Sequence, residues 1–311
     1  MKKLVSILLV LVMVVSMTAC GGQSVSDVKS DNQTPPQSTS SEQAESSSNK
    51  NSKATNYTVE NEVVVDNEYC SVTLASCKEE SSSVDLKFVL ENKTSDKNIM
   101  FSMDNTAVNG WILSSLFAET VASGKKSNET LSFSKSDLSD LDIEAVDKLE
   151  FSMRIYDDDD WMADEFVEDT FVVYPTGKAE ADIVSPDRWY GNDEMSVADN
   201  DSCSFVVLGT YKDDIWGYTV AVYLENKTAN KTLMFSWDDV SVNGYMVDPF
   251  WASSVTPGNK KIATINFSTS DFEENDIESV DEIEFNLRVH DDNDWSASDI
   301  VNDTFTYNPA Q

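Results

Sequence analysis

Two short acidic runs are the residues best placed to do chemistry: Tyr156-Asp157-Asp158-Asp159-Asp160-Trp161 recurs as His290-Asp291-Asp292-Asn293-Asp294-Trp295. Carboxylates crowded on one strand-to-strand loop repel each other, and a hard cation held through oxygen relieves that repulsion. Calcium is the cofactor this suggests, with Asp157, Asp158, Asp159, Asp160, Asp291, Asp292 and Asp294 as candidate ligands. An EF-hand is excluded. Met162 and Ser296 stand where that loop needs its turn glycine, and Trp161 and Trp295 where it needs its fifth ligand. The competing reading is a solvated hairpin tip whose Asp side chains accept hydrogen bonds from nearby backbone amides.

A second candidate site is aromatic. Flat rings stack on pyranose faces, and Trp111, Phe117, Tyr245 and Trp251, with Phe250 beside them, gather near two Asn-Gly dipeptides as a candidate ligand platform. The alternative is that these rings fill a core and cover its ends. Catalysis has little to work with: the single histidine, His290, takes the place of Tyr156 in the other acidic run and reads as a strand-end surface residue. Most general-base and zinc arrangements need at least one imidazole. No G-x-S-x-G, phosphate loop or H-E-x-x-H is present. Fifty-six acids against 22 bases give a net charge of -34, which repels phosphate and excludes nucleic acid as a partner. The expectation is a protein that is not an enzyme.

The elements that must position these residues come twice. Leu90-Glu91-Asn92-Lys93-Thr94 returns as Leu224-Glu225-Asn226-Lys227-Thr228, Val108-Asn109-Gly110 as Val242-Asn243-Gly244, and Asp169-Thr170-Phe171 as Asp303-Thr304-Phe305. From Leu90 to Pro175 roughly two residues in five recur without a gap, a true internal repeat. The spacing predicts repeats over 56–175 and 189–311, joined by a linker over 176–188.

Within each repeat the apolar period is two. Cys70 to Leu74, Val84 to Leu90 and Leu149 to Ile155 alternate apolar with polar residues, as half-buried strands do. Asn-Gly between strand-like flanks is the favoured two-residue hairpin, and the Asn92 and Asn226 stretches read as the loops of further hairpins. Only Ser136 to Asp147 and its twin from Ser270 predict a helical turn, capped by Ser136 or Asp137. The fold class predicted is all-β, two tandem antiparallel β-sandwiches of immunoglobulin-like topology, with a jelly roll as second choice.

The N-terminus supplies an address. Lys2 and Lys3 followed by the apolar run Leu4 to Val15 form a secretory signal over 1–19. Met17-Thr18-Ala19-Cys20-Gly21 then resembles a bacterial lipobox, which implies that Cys20 carries lipid and anchors the chain to the membrane. Two acyl chains make a lasting anchor where one does not. Residues 20–55 are Ser, Gln, Asn and Lys with Pro35-Pro36, a disordered tether. Of the remaining cysteines, Cys70 and Cys77 lie about 23 Å apart along an extended strand, beyond disulfide reach. Free, buried thiols are expected at Cys70, Cys77 and Cys203.

Taken with the strands that end in Glu-Asn-Lys-Thr, the Val-Asn-Gly hairpins and the Arg154-Ile-Tyr-Asp and Arg288-Val-His-Asp strand ends, the sequence is similar to a group of Gram-positive bacterial lipoproteins whose secreted part is one or more immunoglobulin-like domains. The resemblance implies location and architecture and supplies no reaction. The expectation is a binding or structural module on the extracytoplasmic face of the cell membrane, with a surface protein or glycan as partner. The alternatives are a calcium- or glycan-binding surface protein and a cell-wall hydrolase.

Overall fold

Strands, most of which bury every second residue, build the frame of the structure, a computed structural model that describes residues 55–160, 162–188, 190–191, 193–213 and 215–309. The signal, Cys20 and all but the last residue of the tether lie outside the described residues. The first repeat comprises β1 (Glu60–Asp66), β2 (Cys70–Glu79), β3 (Ser83–Asn92), β4 (Ile99–Val108), β5 (Trp111–Ile112), β6 (Phe117–Val121), β7 (Lys126–Ser134), helix α1 (Lys135–Asp140), β8 (Leu149–Asp157) and β9 (Val167–Val173). The second returns the same order as β10 (Met195–Asp199), β11 (Cys203–Asp213), β12 (Gly217–Asn226), β13 (Leu233–Val242), β14 (Tyr245–Met246), β15 (Ala252–Val255), β16 (Lys260–Phe267), α2 (Thr269–Glu274), β17 (Ile283–Asp291) and β18 (Val301–Tyr307).

In each repeat a four-stranded antiparallel sheet faces a second antiparallel sheet. The first repeat pairs β1-β2-β3-β7 opposite β5-β4-β8-β9, with β6 alongside β4; the second pairs β10-β11-β12-β16 opposite β14-β13-β17-β18, with β15 alongside β13. The faces meet through rings: Phe88 of β3 packs edge-on against Phe117 and Phe151, and Phe205 of β11 lies against Phe235, Trp237 and Trp251. The fold is all-β and sandwich-like.

The residues that recur between the repeats are those that hold this frame. Asn109 and Asn243 take φ of 50° and 51° ahead of Gly110 and Gly244, the left-handed pair that a type I′ turn requires. Their amides also clamp a distant loop: Asn109 donates to the Ala145 carbonyl and accepts from the Asp147 and Lys148 amides, as Asn243 does with Ser279, Asp281 and Glu282. The Asn92 and Asn226 segments are not hairpins, because β3 and β4 belong to opposite sheets and the chain arches between them. Asn92 is buried in that arch, donating to the Lys97 and Val121 carbonyls and accepting from Thr94; Asn226 repeats this with Lys231, Val255 and Thr228. The helix caps also differ from expectation. Ser134 and Ser268, not Ser136 or Asp137, accept from the first-turn amides, since these residues keep extended φ and ψ just ahead of the helix.

The repeats are docked against each other, and the described residues fall in one compact unit. The outer face of the second repeat's four-stranded sheet is apolar: Val206, Tyr223 and Ile262 lie side by side across β11, β12 and β16. Onto it the first repeat sets the Trp111 hairpin. β5 pairs in parallel with β16 through Trp111 and Lys260, which merges two sheets into one of nine strands. The same row in the first repeat is Thr73, Val89 and Asn128, and it is not covered in this way. The segment expected as a linker is part of the junction: the Trp111 indole N–H donates to the Pro186 carbonyl at 3.0 Å, and the Lys260 ammonium reaches the same oxygen. β11 carried a sequence signal of this docking. Phe205 to Leu208 is a continuous apolar run, buried on both faces, where Val72 to Ala75 alternates.

Candidate functional site

Each acidic loop is braced from within by one lysine and by turn hydrogen bonds. Asp157 is buried at the end of β8, paired with the Lys97 ammonium, and accepts from the Asp159 backbone amide; Asp291 repeats the arrangement with Lys231 and the Asn293 amide. These bonds hold both carboxyls below their usual range, the lysine partner first in each case. Asp158 accepts from Thr120, Asp159 from Asn98, Asp292 from Ser254 and Asp294 from Ser296, while Asp160 closes the turn by donating its own amide to the Asp157 carbonyl. Among the described residues no three acidic, histidine or cysteine side chains converge to hold a metal ion. The arrangement is that of the hairpin-tip reading, with one lysine per loop and turn hydrogen bonds easing the repulsion, and the calcium assignment to Asp157–Asp160, Asp291, Asp292 and Asp294 is not carried forward. The reading of His290 is corrected. It lies buried under Trp295, ring centroids 4.6 Å apart, with neither ring nitrogen bonded among the described residues.

The aromatic platform comes apart. Trp111 is fully buried at the junction, 6.0 Å from the Tyr223 ring and under the Lys260 ammonium at 4.8 Å. Phe117 is buried against Phe88 in the first core. Neither is free to meet a ligand, because repeat docking and sheet-on-sheet packing claim them. In the second repeat the equivalent surface is open: Tyr245 is 52 %, Met246 66 % and Phe250 89 % exposed. Beside Met246 lies an open groove of ≈700 Å³, bounded by Trp237, Val240, Val247, Phe250 and Trp251. Trp237 is stacked on Phe285 at 3.8 Å and meets Trp251 edge-on at 6.3 Å, so the two indoles are fixed by the core beneath them. Phe250 is held out by local backbone. Its φ is +47°, and its amide donates to the Asp248 carboxylate at 2.8 Å. A non-glycine residue there costs of order 1–3 kcal/mol and persists only where its surroundings dictate it.

The sequence pointed to Trp251 and Tyr245 here and missed Trp237, Asp238, Asp239 and Asp248. A signal existed in the departures between repeats. Trp237, Asp239, Val240, Asp248, Phe250 and Trp251 replace Met103, Asn105, Thr106, Ser114, Leu116 and Phe117. The frame recurs while the groove does not.

A second open groove, ≈570 Å³, runs along the junction by Arg188, Tyr190, Tyr223 and Lys260. Its cations are engaged: Arg188 forks onto Glu194 at 2.6 and 3.0 Å while stacking over Tyr190, Lys227 pairs with Asp199, and Lys260 bonds Pro186. Burial lowers the Lys260 ammonium from its ordinary range. These contacts tie the 176–188 segment to the second repeat and occupy the groove's cations.

Neither a family model nor a curated protein matches the chain. Among solved structures it is similar to red sea bream transglutaminase, at a TM-score of 0.21 and 10 % identity, over 79 % of this chain and 32 % of that one. The chain thus spans about a third of that structure's length. The expectation of a protein that is not an enzyme is corrected to this extent: the solved structure it resembles is named for an enzyme, so absence of activity is not carried forward. At that TM-score the likeness carries no argument for a reaction either. No helix among the described residues is long and apolar enough to cross a membrane.

Proposed function

We propose that this chain is a surface-tethered binding module: a pair of immunoglobulin-like sandwiches held by lipid on Cys20 at the extracytoplasmic face of the membrane, taking its ligand in the groove of the second repeat. The observation that carries the reading is the divergence of that groove from an otherwise recurring frame, with two core-anchored indoles and the projecting Phe250 ring where the first repeat has Met103, Phe117 and Leu116. Ligand pockets are concave, mostly apolar and few, and ≈700 Å³ lies within their usual size. The anchor is supported by Lys2, Lys3, the apolar run to Val15 and the Cys20 that follows Ala19.

Two measurements test the proposal. Labelled palmitate incorporated into cells should mark the protein and be lost with Cys20→Ser, together with its sedimentation with membranes; an unlabelled wild-type chain refutes the anchor. Soluble ligands, basic and neutral peptides and wall oligosaccharides, are titrated against tryptophan fluorescence of wild type and of Phe250→Asn, a side chain suited to the left-handed backbone there. Binding weakened at least tenfold by Phe250→Asn supports the groove, and binding indifferent to it, or none, refutes it.

A further inference from the structure

We infer that the groove takes an extended peptide segment bearing a basic side chain, an inference that rests on the groove being the ligand site proposed above. The chain contains its own precedent. In the first repeat the edge of the short hairpin strand β5 accepts a strand, β16, whose Lys260 amide donates to the Gly110 carbonyl at 2.9 Å while its ammonium lies 4.8 Å over the Trp111 ring. In the second repeat the corresponding strand, β14, ends its sheet, and its two residues Tyr245 and Met246 are exposed. Nothing in the described chain fills the place that β16 fills for the first repeat. The row of the first repeat that could answer it is Thr73, Val89 and Asn128, polar at two of its three places, so a second copy is a poor occupant.

Charge selects the occupant further. Asp238, Asp239 and Asp248 border the groove, all exposed, and among the described residues no Lys or Arg lines it. The first repeat has only Asp104 among the three equivalent places. Carboxylates set about aromatic faces favour a cation through both the rim charge and the ring quadrupole. An anionic polymer is repelled by the same groups. Trp237 lines the groove from below, 3 % exposed and held by Phe285 and Trp251, and its buried indole N–H is not a contact for a ligand; what calls for a strand is the open backbone edge of β14. A peptide brings a carbonyl at every residue together with its cation, and an added strand is a known mode of peptide capture at sheet edges.

The test uses the whole mature protein and capped strand-forming peptides that alternate Thr and Val around one central Lys or Arg, each compared by calorimetry with its acetyl-lysine or citrulline counterpart; chitotriose serves as a neutral sugar. The basic peptides are expected to bind at least tenfold more tightly than the neutral ones. Asp239→Asn with Asp248→Asn should weaken them at least fivefold without harm to the fold. Asn105 already adopts the φ of Asp239 in the first repeat, and the side-chain carbonyl that Asp248→Asn retains still accepts from the Phe250 amide. Glu60→Gln with Glu62→Gln removes the same charge from exposed β1 and should leave affinity unchanged. Equal affinity for charged and neutral peptides, or equal weakening by both double variants, overturns the inference. Chitotriose binding that Phe250→Asn abolishes, with no basic peptide bound, overturns it and leaves the groove standing; binding of every probe indifferent to Phe250→Asn removes the groove itself.

Discussion

If the first repeat is docked through Trp111, its removal must cost far more than removal of Tyr245, which holds the equivalent place in the second. The Trp111 side chain is wholly buried, touches the Tyr223 ring, lies under an ammonium and donates one hydrogen bond. Truncating such a residue costs about 3–5 kcal/mol in lost burial and residual cavity. For a unit of this size each kcal/mol moves the melting temperature by roughly 2–4 °C, so Trp111→Ala should melt about 6–20 °C below wild type. Tyr245→Ala, half in solvent, should stay within about 0.5 kcal/mol, or roughly 2 °C. An intermediate variant isolates the hydrogen bond. Trp111→Phe keeps the ring, and the Pro186 carbonyl retains Lys260 as a donor, so the loss should be only about 0.5–1.5 kcal/mol beyond the smaller ring. Differential scanning calorimetry of the three variants reads both the shift and the shape. Wild type should melt in one transition and Trp111→Ala in two, as the repeats uncouple. Equal shifts for Trp111→Ala and Tyr245→Ala would refute the docking described for this junction.

Three further outcomes follow from the same geometry. Asn226→Ala strips the arch between sheets of its ties to Lys231, Val255 and Thr228, and urea denaturation should show a loss of about 2–4 kcal/mol; a loss under about 1 kcal/mol would contradict the accounting. Stability should fall at both ends of the pH scale. Asp157, Asp199, Asp291 and Asp299 sit below their unfolded values, so their contribution is present above about pH 4 and is lost as pH drops through the lowered values, whereas Tyr57, pushed up to about 12 by burial, contributes below its ordinary value of 10.0 and is lost as pH climbs toward 12. Melting curves from pH 2 to 12 check this, and a monotonic trend would contradict it. Burial pushes the Cys70 thiol up to about 11 and Cys77 to about 12, so a thiol reagent at pH 8 should label them, with the buried Cys203, only after unfolding; prompt labelling of the native protein would show the strands β2 and β11 to be open.

What the sequence revealed and what it hid divide along a physical line. Period-two alternation, the Asn-Gly turns and the spacing of the repeat are local or self-referential signals, and the all-β frame could be read from them. Burial of Trp111 could not, because a side chain buried by another repeat looks, in its own neighbourhood, like one bound for solvent. The acidic loops were read without their partners for a related reason: Lys97 and Lys231, which pair with Asp157 and Asp291, lie 60 residues away in sequence, just ahead of the neighbouring strand. His290 was misplaced since its cover, Trp295, comes from the loop that follows the strand. The Asn92 arch passed for a hairpin because polar loops within a sheet and between sheets share a composition. Lipid on Cys20, which lies outside the described residues, rests on the sequence alone.

A hairpin that seats itself on a neighbouring sheet is a rule with no built-in end, since every added unit offers the next a fresh seat. Left unchecked, such head-to-tail contacts grow into fibres. The row Thr73, Val89 and Asn128 offers such growth a poorer seat: a protruding Tyr245 of another molecule would meet hydroxyl, amide and a lone valine there instead of Val206, Tyr223 and Ile262.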